Sequence, residues 1–139
     1  MARNQTFIPM LSYERGVEAL AWLATVFGMT EGARMIDEDG NLSHGELELD
    51  GQVIMLATPN AAYQSPGTVA KNYPRAAQWL DNPYVINGVM VYVAHLDATR
   101  IRAIAAGARI LSEIEEGFPG RRFRIEDPEG HRWFVFQRE

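Results

Sequence analysis

The sequence predicts an α+β protein in which one β-α-β-β-β unit occurs twice. Alternating apolar and polar residues indicate strands, and two segments with apolar residues three and four positions apart indicate helices. The same order of elements returns about 80 residues later, which indicates a repeated unit. The chain has 139 residues, 47% of them hydrophobic and 22% charged, so it can bury the core of a single domain.

The first unit is predicted over residues 6–57. A short strand, Thr6–Tyr13, precedes a helix that ends at Gly28. The segment "ARMID" predicts a strand, "DEDGN" a turn, and "HGELELDGQVIMLA" two strands joined at Asp50-Gly51. The apolar residues that define the helix are Val17, Leu20, Ala24 and Phe27.

The second unit is predicted over residues 87–137 and repeats this order. The segment "NGVMVYVAH" predicts a strand, and Asp97 is the predicted N-cap of the helix that follows. Ile101, Ile104 and Ala108 form the predicted apolar face of that helix. The segment "RILSEI" predicts another strand, and "RRFRIEDPEGHRWFVF" a closing hairpin with its turn at "DPEG".

A long polar connection, residues 58–86, separates the two units. It contains the aromatic residues Tyr63, Tyr73, Trp79 and Tyr84. A connection of this length without regular structure is usually functional, for example as a lid or as an arm on a partner. The alternative is a linker whose aromatic side chains pack on the core.

Composition excludes several classes of protein. The chain has no cysteine, which rules out disulfides, thiolate metal sites and a cysteine nucleophile. Its net charge of −5 gives no general attraction to nucleic acid or to anionic membranes. The N-terminal segment "MARNQTF" has no apolar leader, and no apolar run is long enough to span a membrane. We therefore expect a soluble cytoplasmic protein with no nucleic-acid or membrane partner.

Four stretches carry a resemblance to a known superfamily: "PMLSYERGVEALAWLATVFG", "HGELELDGQVIML", "VMVYVAHLDATRIRAIAAGARIL" and "FRIEDPEGHRW". In this order they resemble the vicinal oxygen chelate superfamily. That group includes glyoxalase I, extradiol dioxygenases, bleomycin-resistance proteins and PhnB-like proteins. The resemblance covers most of the chain outside residues 58–86. It implies that the duplicated units form a curved mixed sheet around an open cleft, with the helices outside.

In the metal-dependent members of that superfamily, four cleft side chains bind a divalent ion through imidazole or carboxylate groups. The resemblance puts the matching positions at or near Ile8, Met55, Gly88 and Phe134. None of these four residues offers a ligand atom that a hard or borderline ion prefers. We therefore predict a site with no metal and no cofactor.

Of the three histidines, His44 has the surroundings best suited to chemistry. Alternation puts Glu46 on the same strand face, and a His–Glu pair at this spacing can bind a metal or transfer protons. The competing interpretation is a polar rim without a catalytic role. His95 lies beside the predicted helix cap and His131 beside the turn, where local hydrogen bonding is expected. Tyr92 is the remaining catalytic candidate.

Alternation also predicts which side chains face the cleft. Most of them are apolar, aromatic or methionine, which suits a pocket for a planar or bulky organic ligand. The alternative is that these residues only contact one another and close the cleft. The hairpin adds two arginines, which either pair with acids of the first unit or recognise a polar group. The predicted ligand contacts are Ile8, Met10, Met55, Met90, Tyr92, Phe134, Phe136, Trp79, Arg122 and Arg124.

Two functions follow from these expectations. The first is a metal-independent protein of the bleomycin-resistance type, which holds an apolar or aromatic ligand such as an antibiotic. The second is a lyase, isomerase or oxygenase with an atypical site, and the fold by itself does not choose between the two. A dimeric accessory protein without a ligand is a third hypothesis. By resemblance, the protein is expected to form a homodimer.

Overall fold

A computed structural model describes residues 4–82 and 84–139. Two parts of the sequence discussed above lie outside the described residues: residues 1–3 of the N-terminal segment, and Pro83 of the connection. The chain divides into two compact units, residues 1–63 and 64–139. Across the described residues these units hold two four-stranded mixed sheets and four helices, which confirms the predicted α+β class.

The first unit has the predicted order β-α-β-β-β. In its sheet the strand order is β1-β4-β3-β2, where β1 runs parallel to β4 and the other pairs are antiparallel. The hairpin between β3 and β4 turns at Asp50 and Gly51, which both have positive φ, as a tight hairpin requires. The elements are β1 Met10–Ser12, α1 Gly16–Phe27, β2 Thr30–Ile36, β3 Leu42–Leu49 and β4 Gln52–Ala57.

Helix α1 is present as predicted and ends at Gly28, but of the four residues that defined it only Leu20 and Phe27 are buried. Gly28 ends the helix in the left-handed conformation, with φ of 71°. At the other end, Gly16 lies so close to β3 that an added Cβ would be 2.8 Å from Cβ of Leu42. One face of the helix is buried, and it consists of Gly16, Ala19, Leu20, Leu23, Val26 and Phe27.

Strand β1 is shorter than the predicted strand Thr6–Tyr13, which was wrong in its extent. The strand pairs with β4 from Met10 to Ser12, and backbone hydrogen bonds to β4 extend to Pro9 O and Tyr13 N. Before that point, the side-chain amide of Gln5 binds β4 in place of the backbone. Its Nε2 donates to the carbonyl oxygen of Val53 at 2.8 Å, and its Oε1 accepts from Val53 N at 2.6 Å. The alternation of apolar and polar residues does not predict this contact, because it indicates which side of a sheet a side chain faces and not whether the backbone is paired.

The second unit repeats the arrangement of the first after two additional helices. Its sheet has the order β5-β8-β7-β6, with β5 parallel to β8 and the remaining pairs antiparallel. This is the strand order of the first unit, so the predicted duplication is confirmed. The elements are α2 Pro66–Asn72, α3 Pro74–Leu80, β5 Gly88–Val93, α4 Leu96–Ala105, β6 Arg109–Ile110, β7 Arg122–Glu126 and β8 Arg132–Gln137.

The connection 58–86 is more ordered than the sequence indicated. It contains α2 and α3, each of seven residues with proline at its first position. These helices escaped detection because they are short and have no apolar stripe; the only buried residue in them is Leu80. No helix in residues 4–82 and 84–139 has the length and hydropathy needed to cross a membrane.

Helix α4 differs from the prediction in both its cap and its buried face. The N-cap is His95 and not Asp97, which lies in the first turn. The buried residues are Leu96, Thr99 and Ala103, whereas Ile101 is 68% exposed. Thr99 can be buried because its hydroxyl donates to the carbonyl oxygen of His95 at 3.0 Å, so no polar group is left unpaired. The predicted face of Ile101, Ile104 and Ala108 is therefore wrong.

The strand predicted in "RILSEI" is limited to Arg109–Ile110. After Ile110, the backbone N–H groups of Leu111 and Ser112 both donate to the carbonyl oxygen of Arg124. Two residues on one strand that lie opposite a single residue on the next strand form a β-bulge, which interrupts the ladder of backbone hydrogen bonds. Pairing returns only at an isolated bridge between Glu115 and Arg122. The bulge turns the chain into a loop that reaches the pocket described below.

The turn between β7 and β8 is organised by the buried carboxylate of Asp127, which is 4% exposed. Its Oδ1 accepts from the backbone N–H of Glu129 at 3.1 Å and of His131 at 3.0 Å. Its Oδ2 accepts from the indole Nε1 of Trp133 at 3.0 Å. In addition, Gly67 N at the start of α2 donates to the carbonyl oxygen of Glu129 at 2.8 Å. The "DPEG" segment is thus a structural junction.

Gly130 in this turn is required both by its positive φ and by the close approach of a neighbouring residue. Gly40 has a positive φ but no close neighbour, so it is a suitable control. Both have positive φ, 90° and 84°. A Cβ on Gly130 would be 2.7 Å from Gly67 N, whereas a Cβ on Gly40 would have no neighbour within 4 Å. Gly40→Ala should cost about 1–2 kcal/mol from the backbone alone, and Gly130→Ala should cost clearly more. Denaturant titration of both variants measures the difference, and equal losses would contradict the close packing of α2 on the turn.

Candidate functional site

The hairpin of the second unit presents two different faces. Trp133 is fully buried together with Phe123 and Ile125 on the face that forms the core. Phe134 lies on the opposite face, where it pairs with Met90 of β5. The alternation read from the sequence is therefore observed in these strands.

A pocket of about 280 Å³ lies on the Phe134 face of this sheet, entirely within the second unit. Its volume is close to the lower end of the range for small-molecule sites, roughly 300–1,000 Å³. The walls combine aromatic and apolar side chains with three charged ones. The lining residues are Tyr84, Met90, Glu115, Pro119, Arg122, Phe123, Arg124, Phe134 and Phe136.

Two aromatic pairs shape the apolar side of the pocket and its border. Tyr84 meets Phe134 edge to face, with ring centroids 5.8 Å apart. Tyr92 contacts Phe136 at 5.7 Å, and the guanidinium of Arg138 lies 5.3 Å from the Tyr92 ring. Tyr84 remains 69% exposed, so this ring is anchored on one side and open on the other.

Arg122, Arg124 and Glu115 form the polar side of the pocket. Arg122 Nη2 donates to Glu115 Oε2 at 3.1 Å, and its Nη1 donates to the carbonyl oxygen of Gly120 at 2.8 Å. Arg124 Nη2 lies 3.8 Å from Glu115 Oε1, and its guanidinium carbon lies 5.2 Å from the centre of the Tyr84 ring. One carboxylate therefore serves two arginines, and it belongs to the second unit itself. Pairing with acids of the first unit was one of the two alternatives considered for these arginines.

A second ion cluster holds the loop that carries Glu115 and Pro119. Arg121 donates to both carboxylate oxygens of Asp97, at 2.8 and 3.1 Å, and to Glu116 at 2.9 Å. The hydrogen bond from Arg121 lowers the pKa of Asp97 below its ordinary value. The hydrogen bonds from Asp97 and Glu116 raise the pKa of Arg121 in turn. Asp97 thus fastens the loop to α4 instead of capping the helix.

The structure brings five of the predicted ligand contacts to this pocket: Met90, Phe134, Phe136, Arg122 and Arg124. Tyr92 lies at its border and is 44% exposed. Trp79 does not line it; this residue lies on α3 and is 58% exposed. Ile8, Met10 and Met55 belong to the first unit, where Met10 pairs with Met55 and is 79% exposed.

Sequence reasoning missed four of the lining residues: Tyr84, Glu115, Pro119 and Phe123. Tyr84 lies in a loop, and Glu115 and Pro119 lie in the loop that follows the predicted strand "RILSEI". Phe123 is fully buried on the core face of its strand. Tyr84 was noted as an aromatic residue of the connection, but no pattern linked it to Phe134. Loops lack a periodic signal, and this limits what alternation can assign.

The register of the sheets shows which residues are paired with Met55 and Phe134, two of the positions considered for metal ligands. Met10 lies opposite Met55 and Met90 opposite Phe134, so Ile8 and Gly88 are each displaced by two residues. Methionine and phenylalanine at the corresponding pairs are not ligands for a hard or borderline ion. Among residues 4–82 and 84–139, no group of three His, Cys, Asp or Glu side chains is arranged to hold a metal.

His44 and Glu46 form a close pair on β3 of the first unit. His44 Nε2 lies 2.7 Å from Glu46 Oε2, and their side chains are 34% and 12% exposed. Glu46 is paired across the sheet with Met55. A carboxylate at this distance can orient an imidazole for proton transfer. His95 and His131 make backbone contacts instead: His95 caps α4, and His131 closes the Asp127 turn.

The duplicated unit and its sheet-face pocket define a glyoxalase-like α+β protein. Residues 11–135 match the family model of the Glyoxalase/Bleomycin resistance protein/Dioxygenase superfamily. The chain belongs to this superfamily, and the resemblance noted from the sequence is confirmed.

Three similar proteins illustrate the relationship. An uncharacterized protein of Mycobacterium tuberculosis is 26% identical over 130 residues, which cover 93% of this chain and 72% of that protein. The crystal structure of TioX from Micromonospora sp. ML1 has a TM-score of 0.67 and 25% identity, with 97% of each chain covered. The fosfomycin resistance protein FosX of Listeria monocytogenes has a TM-score of 0.64 and 12% identity, with 98% of this chain and 94% of that chain covered. At 12% identity, the likeness to FosX shows the fold alone.

Trp133 and Phe134 are adjacent in sequence, and their different faces predict different costs of truncation. Trp133→Ala removes a fully buried ring and should cost about 3–5 kcal/mol. Phe134→Ala should cost clearly less, because Phe134 lines an open pocket that water can enter. Denaturant titration of the two variants tests this expectation, and a loss for Phe134→Ala as large as that for Trp133→Ala would mean that the pocket is a closed core.

Proposed function

We propose that this protein binds a small organic molecule without a metal, in the manner of the bleomycin-resistance members of its superfamily. The ligand is an apolar or aromatic compound, such as an antibiotic, and it is held without chemical change. The pocket beside Phe134 is the proposed binding site. The observation that carries the proposal is the pairing of Met90 with Phe134 in the lining of this pocket.

Three properties of the pocket support binding rather than metal-dependent catalysis. Its walls offer flat aromatic surface and an adaptable methionine, which suit a bulky organic molecule. Its polar groups are two guanidiniums and one carboxylate, which are common in recognition sites but do not form a metal-ligand set. Neither Met90 nor Phe134 has a side chain that can act as an acid or a base, so this pair cannot transfer a proton to or from a ligand.

The His44–Glu46 contact favours a second candidate, an enzyme with an atypical site. A lyase, isomerase or oxygenase of the glyoxalase-like superfamily could use this pair to move a proton. His44→Gln would then abolish turnover without unfolding the protein. If His44→Gln leaves ligand binding unchanged and the unmodified protein turns over none of the ligands found, the enzyme hypothesis is wrong.

The proposal includes a cytoplasmic homodimer. In the first unit, all seven residues of β2 are exposed, among them Met35 at 61% and Ile36 at 46%. An exposed edge strand with apolar side chains is a surface that proteins usually cover. Light scattering coupled to size-exclusion chromatography measures the mass in solution, and a monomer at all concentrations would contradict this part of the proposal.

Metal content provides a direct test of the binding mechanism. The purified protein, desalted at neutral pH, should contain no stoichiometric zinc, iron, nickel or manganese. The expectation rests on the side chains of Met10, Met55, Met90 and Phe134, which cannot hold these ions in a tight site. Elemental analysis makes the measurement, and one tightly bound metal per chain would overturn the metal-independent mechanism.

Ligand binding is tested by a thermal-shift screen with aromatic antibiotics and planar natural products, because a ligand that binds only the native state raises its stability. For any compound found, Phe134→Ala should weaken affinity by about tenfold or more, since it removes buried aromatic contact. Ile101→Ala is the control, because Ile101 is 68% exposed on α4 and lies outside the pocket lining. Equal effects of the two substitutions would move the binding site elsewhere.

A further inference from the structure

The two arginines of the pocket differ in how completely they are hydrogen-bonded. Arg122 is held by Glu115 and by two loop carbonyl oxygens, those of Gly120 at 2.8 Å and Gly117 at 3.4 Å. These contacts use both of its terminal nitrogens. Arg122 therefore fixes the loop against β7 and has little capacity left for another partner.

Arg124 has hydrogen-bonding capacity that the protein does not use. Its Nη1 is enclosed and has no hydrogen-bond partner, and its Nη2 is 3.8 Å from Glu115, beyond hydrogen-bond distance. The Tyr84 ring at 5.2 Å attracts the positive charge but accepts no ordinary hydrogen bond. A guanidinium with unmade hydrogen bonds is costly inside a pocket, because a desolvated donor loses its water without a replacement.

The surroundings of Arg124 define what would satisfy it. The pocket lining holds two positive side chains and one negative side chain, in a chain whose net charge is −5. The pocket lining is therefore locally positive, although the whole chain is negative. The other walls include the rings of Tyr84, Phe134 and Phe136, so an oxygen anion bound at Arg124 would have aromatic surface beside it. A carboxylate matches a guanidinium in geometry, because two oxygens can accept from two nitrogens.

We infer that the pocket selects a planar aromatic molecule that carries a carboxylate. The carboxylate accepts hydrogen bonds from Arg124, and the ring packs against Phe134 and Phe136. The inference rests on the proposed binding function and adds the chemical class of the ligand. Arg124 is the residue that determines specificity, and Phe134 supplies affinity regardless of the ligand's charge.

The test compares two probes with the same ring system, naphthalene carboxylate and naphthalene carboxamide. The two have similar size and shape but differ in charge. Isothermal titration calorimetry should give an affinity about tenfold or more higher for the carboxylate, which is the difference expected for a charge-assisted pair. Arg124→Met should remove this preference while the carboxamide still binds. Phe134→Ala should weaken both probes.

Arg75→Gln is the matched control, because it removes one positive charge from an exposed position on α3, outside the pocket lining. This variant should keep the preference for the carboxylate. If Arg124→Met does not fold, the salt dependence of the unmodified protein carries the test. Raising the salt from about 50 mM to about 500 mM should weaken the carboxylate and leave the carboxamide nearly unchanged.

The possible failures are distinguishable. Equal binding of the two probes, or tighter binding of the carboxamide, would overturn the inference about the carboxylate and leave the proposed binding function standing. No binding of either probe to the folded protein, together with an empty thermal-shift screen, would overturn both. A carboxylate preference that survives in folded Arg124→Met would assign the recognition to another group and also overturn the inference.

Discussion

The architecture of the second unit depends on one buried carboxylate. Asp127 accepts two backbone N–H groups of its own turn and the indole N–H of Trp133. A buried acceptor with three donors is stable only in one arrangement of the turn, since each lost hydrogen bond would leave a desolvated polar group. This arrangement sets Glu126 opposite Arg132 and thereby the register of β7 against β8. A slip of one residue would exchange the two faces of the hairpin.

The register has a direct functional consequence. It sends Trp133 into the core beside its acceptor and turns Phe134 to the open face, where it pairs with Met90. Arg132 belongs to the same junction: it is buried and donates to the carbonyl oxygens of Leu80 and Asn82 near the end of α3. The turn, helix α3 and the pocket wall are therefore parts of one continuous packing arrangement. Asp127 and His131 both stabilise the turn, since the backbone N–H of His131 donates to Asp127 Oδ1 and its carbonyl oxygen accepts from Asp127 N.

The chain has the glyoxalase-like fold, and apolar side chains are paired across its parallel strands, Met10 with Met55 and Met90 with Phe134. These side chains determine the chemistry available to the site. Flat apolar surface favours contact with a ring, and the two guanidiniums and the shared Glu115 supply the polar side. The bulge at Leu111 and Ser112 and the Arg121–Asp97 contacts hold the loop in place, so the polar side depends on structure distant from the pocket itself.

The sequence by itself determined the repeated β-α-β-β-β unit, the position of the closing hairpin and the facing of Trp133 and Phe134. These features arise from local periodicity and from turn chemistry, which a single sequence displays. Only the tertiary structure decided that Tyr84 and Glu115 reach the pocket, that α4 buries Thr99 instead of Ile101, and that Gln5 replaces part of β1. These outcomes depend on which groups far apart in the sequence come into contact. The same holds for Arg124, because only the positions of its neighbours show that its Nη1 has no hydrogen-bond partner.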